Sequence, residues 1–442
     1  MNIARFAFPT TIHFGAGART LVAEHLRVQG VERPLIVTDR GIAPLPLLAK
    51  FVDGMKDLDV AVYSEIWGNP VKSQVEKGVA AYRAHRADAV IGLGGGAALD
   101  VAKAIALMAV HPGDVLEYAW DHPQVRPIEH ELPYFVALPT TAGTGSEVGR
   151  SSVISDDVTH IKKIIFSPRL LAKAVFADPE LTLDLPRSIT AATGMDALTH
   201  NIESYLSPAY HPLCDGIALE GVRIAAKALR RAVREPHNLQ ARSDMLMASM
   251  MGAIAFQKDL GAVHSCAHAL STVADLHHGL ANGIMIDHVM RFNLPAVAEK
   301  MAELAHVVGV ARHTTEASGE AFIEWLAVLK RDLEIPRTLS AYKAKRAITP
   351  ADIPALVEVA INDICHQTNP RPCTRADFVH HEPLALAHFS VGFEKRRNPR
   401  HAVIVERLAF STVTLFPFVE LFGVRAVALR VTPGIREDRL LI

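Results

Sequence analysis

The sequence predicts an α/β N-terminal domain with a mainly parallel sheet, followed by an all-helical C-terminal domain. Three observations carry this. Short apolar runs alternate with stretches of helical period through residues 1–185, the rhythm of βαβ units. From about Pro186 the chain turns to long Ala-, Leu- and Met-rich stretches of helical period with few strand signals. A length of 442 residues also exceeds one average domain. The expected boundaries are 1–185, 186–388 and an extension over 389–442.

In chain order, RPLIVTDRG reads as a buried strand ending at Asp39, and VAVYSEI as a second that closes before the turn residues Gly68-Asn69-Pro70. Val71 to His85 has helical spacing. ADAVIGLGGG is a strand running into glycines, ALDVAKAIALMAV a helix, and YFVALPTTAGTGSEV a strand followed by a loop. Ligands of parallel sheets bind at the carboxyl ends of the strands. Asp39, Gly94–Gly96 and the loop Thr140–Ser146 belong to that edge. The second half is carried by helices such as IALEGVRIAAKALRRAV and ARSDMLMASMMGAIAF. From about Phe389 the chain reads EKRRNPRH, then β-leaning AVIVERLAFSTVTLF, then a charged tail, with no assigned role.

Composition narrows the function classes. A net charge of −1 gives no electrostatic case for nucleic acid or a membrane surface. No apolar run approaches the roughly 20 residues of a membrane-spanning helix, and MNIARFAFPTTIHFG lacks the pattern of a signal peptide. Four dispersed cysteines without a CxxC pair suit reduced thiols, hence a cytoplasmic setting.

Two segments carry potential metal ligands. In AATGMDALTHNIESYLSP, Asp196 and His200 share one helix face. GAVHSCAHALSTVADLHHGLANG holds His264 and His268 at the same spacing, then His277 and His278, with the helical stretch expected to end at Gly279. A carboxylate with three imidazoles suits Fe²⁺ or Zn²⁺, whereas an all-oxygen set would suit Mg²⁺ or Ca²⁺. A single helical His is more often capped or solvated than a ligand, and His277 reads as a surface neighbour. Asp196 is different, because an unpartnered carboxylate among Ala, Met and Leu would be destabilising.

Two loops suit phosphate. GLGGGAALDVAKA sets glycines between a strand and a helix N-terminus, where free N–H groups favour an anion. It is neither GxGxxG nor a P-loop, and a tight strand-to-helix turn reads the same way. PTTAGTGSEV offers hydroxyls and glycines, as many connectors do. Asp39 is placed either to bind ribose hydroxyls and repel a 2′-phosphate or simply to hold the turn before Arg40-Gly41.

Taken in order, GGGAALDVAK, LPTTAGTGSEV, DPELTLDLP, TGMDALTHNIESY, LGAVHSCAHAL and HHGLANGIMIDHVMRFN resemble the iron-containing (group III) alcohol dehydrogenases. The resemblance implies an N-terminal NAD(P)-binding domain and a helical metal-binding domain. It implies Asp196, His200, His264 and His278 as ligands of Fe²⁺, with Zn²⁺ as the alternative, and His268 as the catalytic non-ligand histidine near nicotinamide and substrate. Gly95, Gly96, Ala97 and Asp100 would touch the pyrophosphate. Thr140, Thr141, Thr144 and Ser146 would line the adenine and nicotinamide path, Lys162 would reach the ribose, and Asp39 would favour NAD. Asn69, in the turn Gly68-Asn69-Pro70, is also expected to contact the cofactor.

Phe256, Leu260 and Cys365 are expected to wall a pocket for a small primary alcohol or its aldehyde, in a homo-oligomer, expected as a dimer. AFQKDLG and LHHG also resemble the hydroxyacid-oxidising branch of the 4-hydroxybutyrate type. There Arg150 or Lys258 would pair with a substrate carboxylate, though both read equally as ordinary surface or interdomain cations. The non-redox relatives of the glycerol dehydrogenase and dehydroquinate synthase type need more cations than these segments hold. Two departures stand out: Ala97 where the family usually has Ser, and the chain after about His388, where the resemblance stops.

Overall fold

The computed structural model describes residues 8, 10–342 and 347–379. The stretch 389–442, set apart as an extension, lies outside them. Its N-terminal half is built on strands β1 (Thr11–Phe14), β2 (Pro34–Val37), β3 (Ala61–Tyr63), β4 (Ala89–Gly94), β5 (Tyr134–Pro139) and β8 (Ala174–Ala177). They form one parallel sheet in the order β1-β8-β5-β4-β2-β3. Helices α1 (Val22–Val28), α2 (Pro46–Asp53), α3 (Lys72–His85) and α4 (Gly96–Val110) supply the crossovers. Every residue of β2, β4 and β8 is buried, which is why two of them read as unbroken apolar runs in the sequence.

The register brings the ligand edge together. Gly94 at the end of β4 pairs with Pro139 at the end of β5, and the Thr140 N–H donates to the Gly94 carbonyl at 3.0 Å. The glycine run and the hydroxyl-rich loop therefore leave the sheet at one level. Three pieces were not legible beforehand: β1, β8, and an antiparallel hairpin of β6 (Ser151–Ser155) and β7 (Lys162–Phe166). TIHF, AVFA, SSVIS and KKIIF are four or five residues each and carry little contrast of their own.

The second half is helical: α5 (Arg187–Leu206), α6 (Pro212–Arg234), α7 (Leu239–Ala255), α8 (Ala262–Ala274), α9 (His278–Val307), α10 (Thr315–Asp332) and α11 (Ile353–Asn362). Helix α5 is the axis of this half. Every residue from Thr190 to Leu206 is buried, because α6, α7 and α9 all pack against it. Asp196 and His200 thus lie in the interior. Helix α9 departs from helical backbone at Val297, just after Pro295, as expected where proline removes a donor.

The HHG sequence does not end a helix. Helix α8 stops at Ala274, Asp275 takes a left-handed conformation (φ 50°), and a new helix opens at His278. Gly279 allows the first turn of α9 to lie against α5. A Cβ there would stand 2.4 Å from the Ala192 carbonyl oxygen and 3.1 Å from Asp196 Cβ.

Candidate metal and cofactor site

Helices α5, α8 and α9 aim four side chains at one point. The Nε2 atoms of His278, His264 and His200 lie 3.5, 3.8 and 3.9 Å from Asp196 Oδ1. These separations are long for hydrogen bonds. They approach the donor–donor spacing of about 3.4 Å that a tetrahedron with metal bonds near 2.1 Å would have. Asn282 Nδ2, 2.7 Å from Asp196 Oδ1 and 3.3 Å from both His264 Nε2 and His278 Nε2, sits against the same centre.

Three of the four residues are in the protonation state a cation needs. Burial opposes ionisation of Asp196, yet His200, His278 and His264 around it hold its carboxyl below the ordinary carboxylate range. Burial pushes His200 down to about 4 and His278 well below its ordinary value, so both are neutral imidazoles with a free lone pair. His264 goes the other way. Burial works against its charge, but Asp196 and Glu203 on either side raise it to about 9. His264 would release its Nε2 proton on taking up a cation, and a carboxylate with three inward-turned imidazoles is then a donor set for a borderline divalent ion.

Two carboxylates that sequence reasoning did not single out complete the cluster. Glu203 Oε2 accepts from His264 Nδ1 at 2.6 Å, and its Oε1 accepts from the Val263 N–H at 2.8 Å. This is the usual outer partner of a metal-binding imidazole, and its position seven residues after Asp196 on α5 was the available signal. Asp363, beyond α11, accepts from His268 Nδ1 at 2.7 Å; nothing local in the sequence ties these two residues together. His268 stacks on His278, with ring centroids 5.2 Å apart. His277, read as a surface neighbour, is exposed and caps α9 by accepting from the Leu280 N–H, and it also lines the cavity that adjoins the cluster.

The cluster closes one end of a cavity of about 1340 Å³ that runs to the carboxyl edge of the sheet. That volume exceeds the roughly 300–1,000 Å³ typical of small-ligand pockets and leaves room for a dinucleotide beside a small substrate. Asp39, Asn69, Gly95, Gly96, Ala97, Asp100, Thr141, Thr144, Ser146 and Lys162 all line it, as do the metal-site residues. Thr140 does not; it is buried beneath its loop.

Helix α4 begins at Gly96 with no side-chain cap, so its first N–H groups are left for an anion. Gly145, at φ +61°, lies where a Cβ would stand 2.2 Å from Ala253 Cβ, so only glycine lets this loop rest on α7. Asp100 is tied into the fold, accepting from Ser146 Oγ at 2.6 Å and the Val153 N–H at 3.1 Å. Asp39 does hold its turn, Oδ1 accepting from the Gly41 and Ile42 N–H groups. Burial pushes Lys162 down to about 8, against the attraction of Asp363, Asp196, Asp100 and Asp275.

Phe256, Leu260 and Cys365 line the cavity, with the Phe256 ring 5.3 Å from that of His200. The two cations weighed for a substrate carboxylate part company. Lys258 is 1% exposed, pairs with Asp215 and is not in the cavity wall. Arg150 is in that wall, its guanidinium over the Phe166 ring at 5.4 Å.

Comparison with known proteins agrees with this geometry. Residues 9–179 match the family model for iron-containing alcohol dehydrogenase, and residues 190–381 match that for the C-terminal part of the same family. The chain is 37% identical to a 4-hydroxybutyrate dehydrogenase of Cupriavidus necator, covering 84% of this chain and 96% of that protein. It is 35% identical to a 1,3-propanediol dehydrogenase of Klebsiella pneumoniae, covering 83% and 94%. A solved structure of 1,3-propanediol oxidoreductase superposes with a TM-score of 0.82 at 34% identity, over 87% of this chain and all of that one. With both halves matched, the donor cluster in the helical half and the cavity lined by residues of both, the chain belongs to the iron-containing alcohol dehydrogenase family and is a metal-dependent, nicotinamide-linked enzyme interconverting alcohols and aldehydes.

Proposed function

We propose that the protein oxidises a small primary alcohol with NAD, and reduces the corresponding aldehyde, at an Fe²⁺ held by Asp196, His200, His264 and His278, with Zn²⁺ as the alternative ion. The observation that carries this is the convergence of those four donors at one end of a cavity whose other end is an uncapped helix N-terminus. When bound, the cation supplies a Lewis acid that eases loss of the hydroxyl proton, and the nicotinamide supplies the hydride acceptor.

The chain's own residues do the rest. N–H groups at Gly96 and Ala97, with the close approach allowed by Gly95, hold the pyrophosphate. Thr141, Thr144 and Ser146 line its path, Lys162 reaches the ribose, and Asn69 lies along the same wall. Asp39 Oδ2, not used in its turn, meets the ribose hydroxyls and disfavours a 2′-phosphate. Phe256, Leu260 and Cys365 bound a compact apolar pocket. His268 accepts the hydroxyl proton at Nε2. We also take the protein to be a cytoplasmic homodimer; its four free thiols support the first point, and native mass spectrometry tests the second.

A second reading, oxidation of an ω-hydroxy acid, is favoured by Arg150 in the cavity wall and by the 4-hydroxybutyrate dehydrogenase among the relatives. One experiment addresses both: NADH formation from 1-butanol, 1,3-propanediol and 4-hydroxybutyrate, with NAD or NADP, on protein loaded with Fe²⁺ or Zn²⁺. Turnover of the neutral alcohols supports the first reading. Turnover of the hydroxy acid alone, lost in Arg150→Ala, supports the second. No metal-dependent NADH from any of them would remove both.

A further inference from the structure

We propose that Asp363 is a positioning residue that fixes the tautomer and ring orientation of His268, leaving Nε2 of that imidazole free of a proton and turned to the substrate end of the cavity. The proposal rests on the proton-accepting role of His268 stated above.

Helix α8 offers two imidazoles, four residues apart, and the fold gives each Nδ1 its own carboxylate. His264 takes Glu203 and His268 takes Asp363. Asp363 is held at both oxygens. Oδ2 accepts from His268 Nδ1 at 2.7 Å, while Oδ1 accepts from Ser265 Oγ at 2.8 Å and from the Cys365 N–H at 2.9 Å. Ser265 Oγ is fixed in turn by the His366 N–H at 2.9 Å. With three donors around it the carboxylate can neither rotate nor act as a donor itself. A neutral imidazole that gives its Nδ1 proton to such a group carries its lone pair on Nε2. The ring is also clamped by stacking on His278, its plane tilted by 19°. His268 makes no second hydrogen bond among the described residues, and its ring is part of the cavity wall.

Asparagine keeps the shape of this site and inverts its logic. The Cys365 N–H needs an acceptor, so the Asn oxygen turns to it and the amide NH₂ faces His268. Nδ1 must then accept, and the proton moves to Nε2, where it blocks acceptance of a hydroxyl proton. A positioned general base typically contributes about 10²–10⁴-fold, so Asp363→Asn is expected to lower kcat by about 100-fold or more. KM for the alcohol, cofactor affinity and bound metal per chain should stay within about twofold. Long-range ¹H–¹⁵N spectra of the full chain, labelled at histidine and loaded with diamagnetic Zn²⁺, should report Nδ1–H for His268 in the wild type and Nε2–H in the variant.

Asp363→Ala is the second variant, and added formate is expected to restore its kcat at least tenfold. Unchanged kcat in Asp363→Asn, an Nδ1–H tautomer persisting in it, or loss of its metal would each overturn the proposal. Absence of alcohol turnover in the wild type would instead defeat the functional reading, and the tautomer spectra would still decide the role of Asp363.

Discussion

His264 donates through Nδ1 to Glu203 at 2.6 Å and directs Nε2 toward Asp196. Its replacement removes one donor and strands a buried carboxylate. Losing even an outer partner of a metal ligand typically weakens affinity about 10–100-fold, so His264→Ala should lose more than about 100-fold. Metal analysis after dialysis should find the ion gone, and turnover with it; a variant that keeps both would dismiss His264 as a ligand. For Asp39, two like charges about 5 Å apart at an effective dielectric near 20 repel by about 3 kcal/mol. Asp39→Gly should therefore raise the NADP-to-NAD ratio of kcat/KM at least about tenfold. An unmoved ratio would take Asp39 out of cofactor choice.

Glu147, in the stretch after β5, is expected to make stability depend on pH. Burial pushes its carboxyl up from the ordinary 4.5 to about 7, and Oε1 has no partner among the described residues. Below about 4.5 both folded and unfolded states hold the proton. Between 4.5 and 7 the unfolded chain loses it and the folded protein keeps it, so stability falls as pH rises through that window, by up to about 3 kcal/mol. Glu147→Gln should flatten this part of the profile and raise the unfolding midpoint at pH 8 relative to pH 5. A profile identical to wild type would mean Glu147 is not buried as a neutral acid.

Among the elements, the short break between α8 and α9 positions His278, the last of the proposed ligands. Gly279 stands where a Cβ would meet the Ala192 carbonyl oxygen at 2.4 Å, so Gly279→Ala must push the start of α9 away from α5. Overpacking of this kind typically destabilises by about 1–3 kcal/mol, and here it also displaces His278. Denaturant midpoint and metal affinity should both fall. Gly216→Ala, in α6 with nothing within 4 Å of the added carbon, should instead be neutral or stabilising by about 0.5–1 kcal/mol; equal effects at the two sites would refute the packing argument. The elements differ in how far they could be read in advance. β2, β4, β5, α3 and α4 follow their apolar runs and glycine or proline boundaries. β1, β8 and the β6–β7 hairpin do not: β1, β6 and β7 are four or five residues of mixed polarity, and β8 is an apolar run of only four, so each acquires its identity from the partner strand. The α8–α9 break escaped for a similar reason: a left-handed Asp275 carries no strong signal.

For the whole molecule, three helices meet at the cluster of Asp196, His200, His264 and His278, so a cation held there would tie them together in the folded state only. Ligand at about 100 times its Kd stabilises the folded state by about 2.7 kcal/mol. Removal of the metal by chelation should lower the thermal midpoint, and Fe²⁺ or Zn²⁺ should restore it; an unchanged midpoint would argue against a cation at this place. The sequence by itself determined the fold class, the two ligand-bearing helical segments and the glycine-rich edge, because each follows from local period, spacing or a backbone requirement. Only the tertiary structure decided that Glu203 supports His264, that Asp363 supports His268, that Lys258 is spent on Asp215, and that Thr140 lies under its loop. Each of these depends on which distant surfaces pack together, and side chains as much as 95 positions apart in the chain meet only after burial has joined their helices.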